Sequence, residues 1–481
     1  MSDKALPKTG ESGRRRDLSR ETLYYAIALI VSGLVQVAFL PFMSRFLSAE
    51  AAGELGALRV LSEGIAGIVV LGLPTALIRA WQRTTAHRSV LVRGILFPIV
   101  PALLLSVLVY IFRGSLSGYL NLGDPSFLGH AALLGIAVAY VQIVLSFPRA
   151  EGLARKYLIL QLIRGATSLA ALWAFLRLTT IGAVPSFMTA RWAPSFIIVL
   201  AAVAMTWRRT APSRTQVKPP GLTKELFSFS LPLIPASLAM IVLSSADMFM
   251  LRNIYPVMSE SGYYEWASRA CLVMMPLILG FDMAWKRFIF RKRDSGGTIA
   301  ELGRAGLLFM IIVNWMALVL AMITPILVAA IGGGTFWPAV KVLPTLAGAS
   351  AMYGLFLISQ TGCLLTGQTR YVAMMTAFGA VLNIGFNLRL IPVAGATGAA
   401  FATLGTNLFM AMSLFWLGRK VFPISFIVVT LMVIPPIMFG PLASLGPNWR
   451  AWIVVGASLI TALVIGMLRI MGTTISAEGR E

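Results

Sequence analysis

The chain has 481 residues, of which 58% are hydrophobic and only 12% charged, whereas soluble domains are roughly 45–50% apolar. That composition excludes a soluble globular protein. The formal net charge of +22 would suit a nucleic-acid partner, but no soluble basic domain exists to carry one, so the distribution of charge matters more than its size.

A bilayer crossing needs about 20 apolar residues, and about fourteen such runs fill the sequence. They predict an all-α integral membrane protein. A basic tail, 1–21, is too polar for a removed secretory peptide and is expected to be retained. Six spans follow: Thr22–Leu47, Gly53–Ile78, Val90–Phe112, Ser126–Phe147, Tyr157–Leu178 and Val184–Trp207. They make up an N-terminal lobe, 22–207. A basic, proline-containing linker, 208–224, separates it from a C-terminal lobe, 225–418. That lobe holds Glu225–Leu251, Gly262–Ala284, Ala305–Ile331, Pro338–Thr366, Tyr371–Ile391 and Ala394–Leu417. Two last helices, Phe422–Leu445 and Trp449–Leu468 (422–470), precede a tail at 471–481. Nearly every run is apolar on all sides, which argues against buried helices of a large soluble protein.

Lys and Arg concentrate in the N-terminal tail, in every second joint and at the C-terminus. This positive-inside pattern predicts cytoplasmic termini, with basic joints facing anionic headgroups. LSRE at Leu18–Glu21 and LTKE at Leu222–Glu225 each open a long apolar run, and GLPTALIR (Gly72–Arg79) aligns with GFDMAWKR (Gly280–Arg287). The offset stays near two hundred residues, so helices one to six are expected to repeat as seven to twelve, in parallel halves with a path between them. Cys271 and Cys363 lie inside spans without paired spacing and read as packing residues. The small residues of GATGAAFAT (Gly395–Thr403) read as a close helix contact.

The intramembrane charges are the informative residues. At about 1.5 Å per residue, Arg269 on helix eight lies roughly 10 Å below the outer mouth and Arg59 on helix two roughly 9 Å. Glu63, Asp247, Glu265, Arg191 and Lys341 share that outer half, and Arg164 on helix five is the main exception. Arg59 with Glu63, Glu265 with Arg269 and Asp282 with Lys286 are i,i+4 spacings, so each pair can neutralise itself on its own helix. Ionisable groups inside membrane helices usually face a bundle interior or a wet cavity. Arg59, Arg269, Arg191, Lys341 and Asn383 are therefore expected to line a substrate cavity, the guanidinium groups offering forked donors to an anion. Glu63, Asp247 and Glu265 are expected to gate it or to couple it to an ion, with Glu63 and Glu265 forming a cross-lobe latch with the arginines. Asn383 and Asn387, also four apart, serve either sugars or helix packing. His87 and His130 are the only histidines. No nucleophile–base pair, metal spacing or phosphate loop supports catalysis.

Two long runs carry a resemblance. PLIPASLAMIVLSSADMFMLRNIYPVMSESGYYEWASRA (Pro232–Ala270) resembles the seventh and eighth helices of bacterial polysaccharide flippases. The run from Phe336 to Thr403, ending in an asparagine-bearing helix and IPVAGATGAAFAT, is similar to their tenth to twelfth helices. The family is that of the O-antigen and exopolysaccharide lipid-linked oligosaccharide flippases, in the superfamily that also holds the lipid II flippase and the multidrug and toxic compound extrusion pumps. The resemblance implies two pseudo-symmetric six-helix lobes working by alternating access, and no cofactor. It implies an undecaprenyl-pyrophosphate-linked glycan moved from the cytoplasmic to the periplasmic leaflet of a bacterial inner membrane. Coupling to a proton or sodium gradient or to the membrane potential is part of that expectation, as are a polysaccharide polymerase and a chain-length regulator as partners. The rival on the same fold is a cation-coupled multidrug antiporter. Its acidic residue in the first helix has no counterpart in Thr22–Leu47.

Overall fold

In hydrocarbon the backbone finds no water, so a single spanning segment must satisfy its own amides and carbonyls, which a helix does. The computed structural model describes residues 11–70, 72–210, 234–294 and 299–419, and every regular element among them is helical. The first eleven helices are α1 (Glu11–Ala38), α2 (Leu40–Phe46), α3 (Ala49–Val70), α4 (Leu73–Arg83), α5 (His87–Leu96), α6 (Ile99–Ile111), α7 (Arg113–Tyr119), α8 (Phe127–Val144), α9 (Ser146–Ala150), α10 (Ala154–Leu178) and α11 (Ala183–Arg209). Then come α12 (Ile234–Ile254), α13 (Ser259–Cys271), α14 (Met275–Asp294), α15 (Ile299–Leu327), α16 (Leu343–Ser359), α17 (Thr361–Leu365) and α18 (Thr369–Gly418).

Among the described residues, nine helical stretches are long and apolar enough to cross a bilayer, or ten if α13 and α14, bent by 49° at their break, form one span. The two spans expected in 422–470 lie outside the described residues, as do 211–224 of the expected linker, the first ten residues of the tail and the C-terminal tail.

Helices α1, α3, α8, α10 and α11 pack together as an N-terminal bundle, and α12, α13, α15, α16 and α18 as a C-terminal bundle. The two meet where α3 lies against α12 and α13 and where α1 lies along α14. Helix α16 is buried along nearly its whole length. Its Ala347, Gly348, Ala349, Ser350 and Ala351 are small enough to let α15 and α18 close on it. Helix α6, by contrast, turns Val100, Leu103, Leu104 and Val107 outward, as a lipid-facing helix must.

Two breaks bear on the expected spans. The eleventh and twelfth spans are the two arms of α18, which meet at a kink at Gly395, whose φ of 53° and ψ of −130° are closed to ordinary side chains. Glu260 Oε2 accepts the Ala396 N–H there at 2.9 Å, satisfying an amide that the break strands. The second concerns the repeat. Gly72 opens α4 immediately after α3, but the corresponding break in the C-terminal bundle falls at 272–274, and Gly280 lies inside α14. The two glycine motifs therefore do not mark equivalent positions, because one caps a helix and the other continues it.

Candidate functional site: a cross-bundle arginine–glutamate cluster

Where α3 crosses α13 the backbones nearly touch. A Cβ on Gly262 would fall 1.8 Å from the Ala49 carbonyl oxygen, and one on Gly53 would fall 1.9 Å from Ser261 Oγ. Glycine at both positions lets the helices start side by side, and polar groups then tie this end shut. Arg252, in the last turn of α12 and only 2% exposed, donates from Nε to the Leu120 carbonyl at 2.8 Å and from Nη2 to the Asn121 carbonyl at 2.5 Å. The Asn121 side-chain amide donates back to the Arg252 carbonyl at 3.2 Å. Trp266 Nε1 donates to Ser44 Oγ at 2.8 Å, joining α13 to α2.

Two turns further along α3 lies the charged cluster. Arg59 forks onto Glu265 of the opposite bundle, Nε to Oε1 and Nη2 to Oε2, both at 3.1 Å. Its Nη1 donates to Glu63 at 2.7 Å. Arg269 donates from Nε to Glu265 Oε1 at 2.7 Å, while its Nη2 is buried without a partner among the described residues. Glu265 is fully buried and accepts from both arginines, so its charge is matched where desolvation would otherwise be costly. Arg191 of α11 donates to Gln36 Oε1 at 3.3 Å and keeps Nη1 buried and unpartnered among the described residues.

Arg59, Glu63, Arg191 and Arg269 line one cavity of about 500 Å³ between the bundles, floored by α1, α12 and α14. Of the cross-bundle contacts expected of Glu63 and Glu265, the ion pair of Glu265 with Arg59 is made, whereas Glu63 pairs with Arg59 within α3. The Asp282–Lys286 pair forms at 2.7 Å on its own helix.

Three expected site residues stand elsewhere. Lys341 ends a short 3₁₀ turn, Trp337–Lys341, with its side chain exposed, and it lines none of the cavities around the cluster. The helix it was expected to sit in begins only at Leu343, which leaves it at the surface. Asn383 is fully buried but belongs to a second polar group rather than to the cavity wall. That group centres on Asp247, 3% exposed, which accepts from Tyr264 Oη at 2.7 Å, Thr403 Oγ1 at 2.7 Å and Asn387 Nδ2 at 2.5 Å. Asn387 also donates to Asn383 Oδ1 at 3.0 Å. Sequence reasoning missed Tyr264 and Thr403, although a lone Asp on an apolar helix implies buried donors around it. It also missed Arg252 and Gln36, which carry no local signal.

This is an all-α membrane protein with a polar cleft between two helical bundles, and the comparisons agree with that class. The family model described as polysaccharide biosynthesis protein matches residues 18–285, more than half of the chain. The chain belongs to that family. A comparison with curated protein sequences gives no match. Among solved structures, the lipid II flippase MurJ in an inward closed conformation aligns at TM-score 0.68 and 13% identity, covering 94% of this chain and 99% of that one. A MATE-family multidrug resistance transporter aligns in its inward-facing conformation at TM-score 0.60 and 15% identity, over 83% and 94% of the two chains. Its outward-facing conformation aligns at TM-score 0.57 and 16% identity. These likenesses establish the fold.

Proposed function

We propose that the protein is a flippase that moves an undecaprenyl-pyrophosphate-linked oligosaccharide from the cytoplasmic to the periplasmic leaflet of a bacterial inner membrane, for surface polysaccharide synthesis. One observation carries this reading: the fork of Arg59 on Glu265 at the end of a cavity where Arg269 holds a buried donor nitrogen unused by the described residues. A diphosphate is the anion whose oxygens match such forks. By competing with Glu265 for Arg59 it would release the contact between the bundles and favour the alternative arrangement. An organic cation has no comparable partner in this cluster, since both carboxylates already face arginines.

Asp247 is the coupling residue in this reading. Its carboxylate is surrounded by neutral donors, and Asn387 Oδ1 beside it is buried without a partner among the described residues. Carboxylate, amide and hydroxyl oxygens suit a proton or a small hard cation.

The test is surface polysaccharide export with Arg269 replaced in turn by Lys, Ala and Glu. Graded loss in that order is expected, and full export with Glu at this position would overturn the reading. Deletion that alters drug sensitivity but leaves surface polysaccharide intact would favour the antiporter instead.

A further inference from the structure

The charge balance differs across the boundary between the bundles. In the cluster itself Arg59 and Arg269 face Glu63 and Glu265, so it is internally matched. An adjoining cavity of about 320 Å³ runs into the N-terminal bundle, and its wall carries Arg59, Arg149, Arg164 and Arg191 against Glu63 alone. Because Arg59 already serves Glu63 and Glu265, the other three cations have no carboxylate partner among the described residues. No described residue gives the Arg164 guanidinium a hydrogen bond or an ion pair, and Arg164 and Arg191 together line a further void of about 60 Å³. The rest of the polar wall consists of amides and a phenol: Gln36, Gln142, Gln161 and Tyr157. Gln161 donates to Tyr157 Oη at 3.3 Å and keeps Oε1 buried without a partner among the described residues.

Uncompensated arginines at membrane depth are costly and mark the path of a charged ligand. Neutral amides beside them suit hydroxyl groups, each amide supplying both donors and an acceptor. The facing cavity of the C-terminal bundle, about 330 Å³ and walled by Leu243, Leu272, Leu279 and Leu346, carries no charged residue. The asymmetry separates a place for an anionic, hydroxylated group from a place for a hydrocarbon.

We propose that the N-terminal cavity is a second anion subsite, binding an acidic sugar of the lipid-linked glycan through Arg164 and Arg191 while the diphosphate engages Arg59 and Arg269. This rests on the flippase reading above and adds the class of glycan. The acidic group is a carboxylate or a phosphate substituent, both of which match a guanidinium fork.

The experiment uses the full chain in lipid nanodiscs and three synthetic farnesyl diphosphate lipids, bearing a neutral glucose disaccharide, its glucuronate analogue or its 6-phosphate. The wild type is expected to bind at least one acidic lipid about tenfold more tightly than the neutral one, the value of one charge-assisted hydrogen bond. Arg164→Gln should cancel most of that ratio, and Arg164→Lys, which keeps the charge but not the fork, should retain part of it. The two acidic lipids then tell carboxylate from phosphate. Equal affinity of the wild type for all three lipids, or an unchanged ratio in Arg164→Gln, overturns the subsite while leaving the flippase reading standing. Failure of the wild type to bind any of the three overturns both.

Discussion

Replacing Glu265 by Gln should unlatch the two bundles. Glu265 is the single acceptor through which α13 holds Arg59 of α3, by two hydrogen bonds at 3.1 Å. A charge-assisted hydrogen bond contributes about 1.5–3 kcal/mol net in a buried setting. Arg59 is 21% exposed on its side chain and both bonds lie at the long end of the usual range, so about 2 kcal/mol is reasonable for the fork as a whole. The Arg269–Glu265 bond lies within α13 and persists in either arrangement of the bundles, so it cancels. A loss of about 2 kcal/mol from the latched state alone multiplies the unlatched population roughly thirtyfold. A suitable reporter is Ser268→Cys, on the wall of the inter-bundle cavity, in a background without Cys271 and Cys363. An impermeant thiol reagent added on the side of the membrane where α3 and α13 begin should label it about thirtyfold faster when Glu265→Gln is present, provided opening remains fast relative to labelling. An unchanged labelling rate would refute the argument that the fork holds this end closed.

Three further outcomes follow from the same geometry. Gly262→Ala places a Cβ 1.8 Å from the Ala49 carbonyl oxygen; it should force α3 and α13 apart and raise labelling at Ser268→Cys from that same side even with Glu265 intact. Arg252→Gln removes the donors to Leu120 and Asn121 and leaves the carbonyl of buried Leu120 unpaired, which should lower the thermal unfolding midpoint and cost about 1–3 kcal/mol in denaturant titration. Asp247→Asn keeps the shape of the buried group but not its charge; transport measured in proteoliposomes should lose its dependence on an imposed proton or sodium gradient, and retained dependence would remove Asp247 from the coupling path.

Much of this architecture was legible because membrane helices announce themselves by length and uniform apolarity. The i,i+4 spacings of Arg59 with Glu63 and of Glu265 with Arg269 were equally visible, since a helix brings such residues onto one face. The fork between Arg59 and Glu265 was a different matter: the residues are 206 apart in sequence, and only the crossing of α3 over α13 pairs them. Matching depth suggested a latch but could not choose its partners. Lys341 misled for a related reason. Its neighbours are apolar enough to read as a span, yet the chain turns through a 3₁₀ segment there and places the ammonium at the surface. Arg252 carries no local signal, because the carbonyls it serves belong to a joint more than a hundred residues earlier.

The latch and the Asp247 group are joined by adjacent residues of one helix. Tyr264 donates to Asp247, and Glu265 accepts from Arg59. Successive helical positions point about 100° apart, so α13 shows one face to α12 and α18 and the next to α3. Every hydrogen bond to the Asp247 carboxylate comes from α13 or α18, and none comes from the N-terminal bundle among the described residues. A proton or cation at Asp247 therefore has no direct hold on the other bundle. A ligand shifts an equilibrium only through a difference in its interactions with the two states. Any bias that Asp247 exerts on the meeting of the bundles must accordingly pass through α12, which carries it, or through α13. Only α13 also bears the carboxylate that Arg59 grips, and the glycine at its start fixes how closely α3 can approach. The position of α13 within its own bundle thus sets both the hydrogen bonds available to Asp247 and the reach of Glu265, which makes it, beside α12 with its Arg252 bonds, a route by which an ion bound at Asp247 would act on bundle closure.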